Sequence, residues 1–384
     1  MVAAYPNQID EEITVPRALE QNNNVEEKVS KPNLPTLTEL RNAIPAECFE
    51  KDWKKSTFFL LWDFAVIAGL YLVVPYVEQY FGWFGLLSWY YIMGMFMFSL
   101  FVVGHDCGHG TFSESVILND ILGHVAHAPL MVPYWPWQKS HRQHHQYTAH
   151  LEKDHSHPWV TEEYHFNRHW VFQNFNKFPL SGFIRWNALY LVMGIPDGSH
   201  YYPFSRLFKT HADQIKCAIS VAACFACAYG AFVVCDYNVY RYTKYYVVPL
   251  LFQGLWLIMV TYLQHQDEEI EVYEDSEWSF VRGQTQTIDR TYGMYIDTLM
   301  HHITDGHVVH HLFFTKIPHY HLPEATKAIQ RVFERYPGVY KRQNNFLSLY
   351  EFLRLNVRLD YLLGKGTGVL RYRVSKVYAG KKDE

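Results

Sequence analysis

Between residues 301 and 311 the chain reads HHITDGHVVHH, five histidines in eleven positions. Imidazole is the commonest metal ligand and titrates near neutrality. Two other stretches carry histidine at comparable spacing. HDCGH sets His105 and His109 four residues apart, and HRQHH gives His141, His144 and His145. HVVHH repeats that second pattern with His307, His310 and His311. On a helix, residues three and four apart share a face, so each box can turn its rings toward one point. His265, in TYLQHQ, is a further candidate. A structural zinc site wants four ligands, commonly with cysteine, and none of the boxes has that pattern. Nine imidazoles exceed the needs of one ion and suit two. Zinc, copper, iron and nickel all accept imidazole, so spacing alone leaves the metal open.

A ligating ring needs its other nitrogen held, usually by a carboxylate or carbonyl. Asp106, Asp154, Asp289 and Asp305 are the candidates, and His301 and His302 are expected beside the ligands rather than on the metal. The other histidines, among them His150, His155, His157 and His200, read as satisfied polar groups. His319 and His321 read the same way, near a substrate entrance.

The elements that must position these boxes are apolar. Of 384 residues 49% are hydrophobic and 17% aromatic, the net charge is -4, and the apolar residues collect in long runs, the signature of a membrane protein. No basic stripe with interleaved aromatics points to nucleic acid. Four runs, 58–77, 84–103, 217–235 and 246–263, approach the ~20 residues that cross a bilayer as a helix. A fifth, 116–137, is broken by His124, His127 and three prolines and reads as re-entrant or interfacial. Asp63, inside the first run, is expensive to bury charged. Cys224 and Cys227 form a CxxC in the third run, where packing of a membrane helix is the plainer reading than redox chemistry.

Short connections pair the runs into two hairpins, which puts every box and both termini on one face. Lys51, Lys54 and Lys55 before the first run assign that face to the cytosol, although Arg241 and Lys244 sit in the opposite loop. The expected fold is an all-α integral membrane protein, with four transmembrane helices and a cytosolic histidine-rich helical domain holding a two-metal site. Residues 1–42 read as a polar, flexible tail and not a secretory signal peptide. Residues 43–372 form the membrane domain. The tail 373–384 carries Lys381 and Lys382 at positions that resemble a dilysine retrieval signal of the endoplasmic reticulum.

The boxes HxxxH, HxxHH and HxxHH, with stretches such as VGHDCGHGTFS, WPWQKSHRQHHQYTAH and EWSFVRGQTQTIDR, resemble the membrane fatty acid desaturases. The likeness runs from about residue 43 to 372. It is greatest to acyl-lipid Δ12 and ω3 enzymes, and within them to nematode Δ12 members through LLFQG and HPWVTEE. The resemblance implies a di-iron site with His105, His109, His141, His144, His145, His265, His307, His310 and His311 as ligands. It implies oxygen-dependent insertion of a cis double bond into a fatty acyl chain at an endoplasmic reticulum membrane. Separate cytochrome b5 and its reductase would supply the electrons, since nothing in the chain resembles a fused electron carrier. Trp89, Tyr90, Tyr91, Trp135 and Trp137 are candidates to line the acyl tunnel. The rival readings are an ω3 desaturase, a di-iron acyl hydroxylase, and a catalytically silent metal-binding membrane receptor.

Overall fold

The computed structural model describes residues 33–157, 159–175, 178, 181–184, 192–194 and 197–375. Most of the polar N-terminal segment, and Lys381 and Lys382, lie outside the described residues. Among the described residues three helices are long and apolar enough to cross a membrane: Trp53–His109, His211–Val234 and Val239–His265.

The first has 57 residues. A straight helix of that length would reach ~86 Å, nearly three times the hydrocarbon thickness of a bilayer. Asp52 caps its start by accepting the Lys54 N–H at 2.8 Å, and Gly110, at φ 72°, closes its end. The helical path is broken at Gly82 (φ 55°, ψ -139°), a backbone conformation that costs a residue with a Cβ but not glycine. Beyond the break, the Trp89 indole N–H donates to the Leu70 carbonyl at 2.8 Å, and the Trp89 and Tyr71 rings meet at 5.6 Å. In a straight helix Leu70 and Trp89 would be ~28 Å apart. The break thus falls between the runs expected at 58–77 and 84–103 and folds one half onto the other.

The third run forms His211–Val234, and the fourth ends in Val248–His265 after a turn of π-helix over Thr243–Val247. The interrupted stretch at 116–137 becomes two pieces. Val116–His127 is a helix whose Ile117 and Ile121 are 72% and 56% exposed, and a left-handed Met131 then redirects the chain into the helix Tyr134–Gln146.

The structure corrects the all-α expectation. The protein is mostly helical, but among the described residues five short strands are present: β1 (Glu271–Tyr273), β2 (Ile288–Thr291), β3 (Lys341–Asn344), β4 (Leu359–Leu363) and β5 (Val369–Val374). β5 lies between β1 and β4, antiparallel to both, and β2 pairs with β3 in parallel, Ile288 opposite Lys341. Strands of three to six residues are too short for alternation to stand out beside twenty-residue apolar runs. The helix Leu37–Ala43 likewise falls inside the segment expected to be a flexible tail. Its Leu40 is fully buried in one cluster with Val308, Val309 and Ile329.

Two contacts fix the histidine-bearing helix ends. Gly94 lets the backbone of the first long helix approach Phe252 and Gln253 on Val248–His265. Arg290 on β2 is fully buried, pairs with Asp267 at 2.6 Å, and donates through Nε to the Leu263 carbonyl, so it grips the chain on both sides of His265. At Gly94 a Cβ would come within 2.6 Å of the Phe252 carbonyl carbon. Gly94→Ala is therefore expected to cost about 1–3 kcal/mol, read as a lower Tm in detergent. Gly69→Ala, where a Cβ meets nothing within 4 Å, is expected to leave the Tm unlowered.

Candidate metal centre

The boxes sit at or near helix ends that converge. His105 and His109 occupy the last turn of Trp53–His109, and His265 is the final residue of Val248–His265. His141, His144 and His145 lie on Tyr134–Gln146, and the third box forms the short helix His307–Leu312. Their nitrogens gather in two groups. His105, His109, His141, His145 and His310 bring one ligand atom each within 4.8 Å of one another. His265 joins His307 and His311 in one trio, and His144 and His157 in another, within the same limit. Each HxxHH box is thus divided: His141, His145 and His310 serve the first group, His144, His307 and His311 the second.

The spacing of these nitrogens tests whether a cation fits. Nε2···Nε2 separations are 3.2 Å for His105–His109, 3.1 Å for His141–His145, 3.3 Å for His144–His265 and 2.9 Å for His265–His307. A proton can bridge one such pair, yet the single Nε2 of His265 faces two partners. Two nitrogens bound ~2.1 Å from one ion at right angles stand ~3 Å apart, the spacing found here. The Nε2 atoms of His310 and His311 are buried with no hydrogen-bond partner. Burial, reinforced by neighbouring imidazoles, holds the rings of His141, His145, His307, His310 and His311 well below the ordinary histidine range. They are neutral at pH 7 and present the lone pair a metal needs. An all-imidazole, buried donor set suits a borderline transition-metal ion.

Three side chains orient the rings from behind. The Nδ1–H of His144 donates to Asp154 at 2.8 Å, which directs Nε2 inward. Asp154 in turn accepts the Ala149 N–H at 3.0 Å. The Nδ1 of His311 meets Gln284 Oε1 at 2.9 Å and the Thr148 hydroxyl at 3.1 Å, while Gln284 Nε2 donates to the His145 carbonyl at 2.8 Å. Gln284 therefore joins the second and third boxes.

The other acids expected behind the rings are used differently. Asp289 accepts the Val308 N–H at 2.8 Å and the Tyr340 hydroxyl at 2.5 Å, so it steadies the first turn of the third box rather than a ring. Burial pushes its carboxyl up to about 7 against the pull of those two donors. Asp106 holds the His319 ring at 2.8 Å and backbone N–H at 2.9 Å, and reaches only to 3.8 Å from His105 Nδ1. Asp305 pairs with His302 at 3.0 Å, and His301 pairs at 2.7 Å with Asp63, the partner that the sequence left unnamed. His301, His302 and Asp305 hold no ligand ring, which corrects the expectation for them. Both histidines have left-handed backbone, at φ 56° and 57°, and the tight turn aims their rings at the two acids instead.

His157, Gln284 and Thr148 were missed. His157 follows His150 and His155 in an irregular stretch, without the helical spacing that marks the boxes. Gln284 lies in the polar run Arg282–Asp289, which is buried although its composition reads as exposed. Of the five aromatics expected to line an acyl tunnel, Trp137 lies on the cluster, stacked on His141 at 4.6 Å. Trp89 ties the halves of the first helix, Tyr90 stacks on Phe252, Tyr91 packs on Trp256 and Trp135 donates to Asp120.

Apolar helices of membrane-spanning length that deliver two groups of imidazoles able to hold metal ions define the class as a membrane-type, histidine-rich protein. The fatty acid desaturase model matches residues 81–344, and the chain belongs to that family, which makes it an oxygen-dependent desaturase. The Delta(12) fatty acid desaturase fat-2 of Caenorhabditis elegans is 57% identical over 356 residues, 92% of this chain and 94% of that protein. The Omega-3 fatty acid desaturase fat-1 of the same organism is 50% identical over 346 residues, 89% of this chain and 85% of that protein. An acyl-lipid omega-3 desaturase (cytochrome b5) of the endoplasmic reticulum of Arabidopsis thaliana is 33% identical over 367 residues, covering 91% and 90%.

Removing an orienting partner of a ligand weakens metal binding ~10–100-fold. Asp154→Ala is expected to fall in that range by competition with a chelator, while Asp305→Ala keeps wild-type affinity. Equal loss in the two variants would contradict the geometry.

Proposed function

We propose that this desaturase acts at the Δ12 position, converting oleoyl to linoleoyl chains with a di-iron centre. The observation that carries the centre is the two-group convergence of imidazoles; the regioselectivity rests on the 57% identity to a Δ12 enzyme. His105, His109, His141, His145 and His310 would hold one iron, and His144, His265, His307 and His311 the other. When bound and given oxygen and two electrons, the irons supply the oxidant that takes two hydrogens from adjacent unactivated methylenes.

The chain's own residues bind, orient and exclude water. Asp154 and Gln284 keep protons on the outward nitrogens of His144 and His311, leaving their Nε2 lone pairs inward. Trp137 against His141, and Phe314 against His109 and His145 at 5.4 and 4.8 Å, pack apolar surface on the ligand rings. The acyl chain would enter between the long helices and this aromatic layer.

The membrane arrangement belongs to the same reading. The domain over 43–372 would cross four times in two hairpins, the halves on either side of Gly82 being the first pair. The apolar outer face of Val116–His127 would lie in the bilayer interface. Both termini and the metal centre would face the cytosol at the endoplasmic reticulum. Cytochrome b5 and its reductase would dock on that side; the name of the Arabidopsis relative supports both donor and compartment.

The ω3 reading has its own support in the 50% relative, and one experiment separates the two. In a yeast host that makes oleate but no dienes, expression is expected to yield linoleate. Trienes from supplied linoleate would mean an ω3 enzyme, hydroxy acids a hydroxylase, and unchanged lipids a silent protein. Purified protein is expected to hold about two irons per chain, the number that two groups of imidazoles imply. His144→Ala is expected to abolish product while still inserting in the membrane, and His265→Ala to lose iron and product together. Wild-type turnover in His265→Ala would remove it from the centre.

A further inference from the structure

The two groups of imidazoles are unequal if only the box histidines and His265 are counted. The first has five nitrogens, from His105, His109, His141, His145 and His310; the second has four, from His144, His265, His307 and His311. We propose that His157 is a tenth metal ligand and the fifth nitrogen of the second group. The inference rests on the di-iron reading above and adds a residue that lies outside all three boxes.

The geometry around His157 carries it. Its ligand nitrogen lies within 4.8 Å of those of His144 and His265. The rings are 5.2 and 4.6 Å from His157, centre to centre, the range found among the rings of the first group. His157 is 3% exposed, and Trp159 packs on its ring at 5.6 Å. It thus occupies a fixed position against two residues already assigned to the second ion.

That position is built by the segment that orients His144. The Tyr273 N–H on β1 donates to the Ala149 carbonyl, and the Leu151 N–H returns to the Tyr273 carbonyl, both at 2.9 Å. Asp154 then closes a turn by donating its N–H to the His150 carbonyl at 3.1 Å and accepting the Ala149 N–H through its side chain at 3.0 Å. One segment therefore supplies both the acid behind His144 and, three residues on, the ring beside it. The other two histidines of the segment face elsewhere. His150 meets Asp275 at 3.1 Å, and the half-buried His155 donates to the Glu152 carbonyl at 2.9 Å.

The test uses the full-length protein in detergent, loaded with 57Fe and checked for monodispersity. Wild type and His155→Ala are expected to hold two irons per chain. His157→Gly is expected to bind the second iron at least ~10-fold more weakly, because a lost ligand costs no less than a lost orienting partner. Its Mössbauer spectrum should lose the signal of one site, and added imidazole, filling the space of the missing ring, should restore it. Two irons with an unchanged spectrum in His157→Gly overturn the proposal. A loss of iron that imidazole does not repair, or an equal loss in His155→Ala, assigns the effect to the segment's fold and overturns it too. A wild-type chain holding fewer than two irons would instead overturn the di-iron reading on which the inference stands.

Discussion

Imidazole nitrogens crowded to about 3 Å in a buried site can share a proton in pairs, but one proton cannot serve a nitrogen that faces two others, whereas a metal ion can. His265 makes the point most sharply, since its one inward nitrogen faces both His144 and His307. Buried polar atoms without partners are costly, and the Nε2 atoms of His310 and His311 are two of them within these clusters. Much of the architecture follows from the need to keep them there. Helix ends, rather than helix middles, carry the ligands, which lets four elements meet without their axes colliding.

Ligands at helix ends need anchoring, because ends fray. The end at His265 is gripped by Arg290, which binds Asp267 and the Leu263 carbonyl from a fully buried position. A buried ion pair is not in itself stabilising, but removing one partner leaves a charge that the interior cannot solvate. Its value here lies in geometry, holding one ligand relative to β2 and so to the third box that follows. The small sheets act in the same way. β1 fixes the segment carrying Asp154 and His157, and the β2–β3 pair places Asp289 under the first turn of His307–Leu312.

The site explains the reaction class better than the position of the new bond. The clustered imidazoles and the polar groups behind them make a buried site that suits metal-dependent oxidation as a class. Identities of 57% and 50% to a Δ12 and an ω3 desaturase show how far the chain can be shared between two double-bond positions. On the proposed reading, which methylenes meet the centre would depend on the depth and bend of an acyl channel, and so on apolar side chains whose exchange would leave the clustered histidines untouched.

The sequence by itself determined the chemistry-bearing residues wherever they repeat at a helical period. All three boxes and the long apolar runs were legible because periodicity and length are local properties. His265 was legible too, as a polar group ending an apolar run. Tertiary structure alone decided how each HxxHH box divides between two groups, since i, i+3 and i+4 share a face without revealing what stands opposite. It alone gave Asp63 its partner His301, turned His301 and His302 away from the cluster, and brought Gln284 and His157 to it. The Gln284–His311 and Asp63–His301 contacts join residues 27 and 238 positions apart. They arise where irregular backbone and short strands bring distant segments together, and no local pattern of residue types encodes such a meeting.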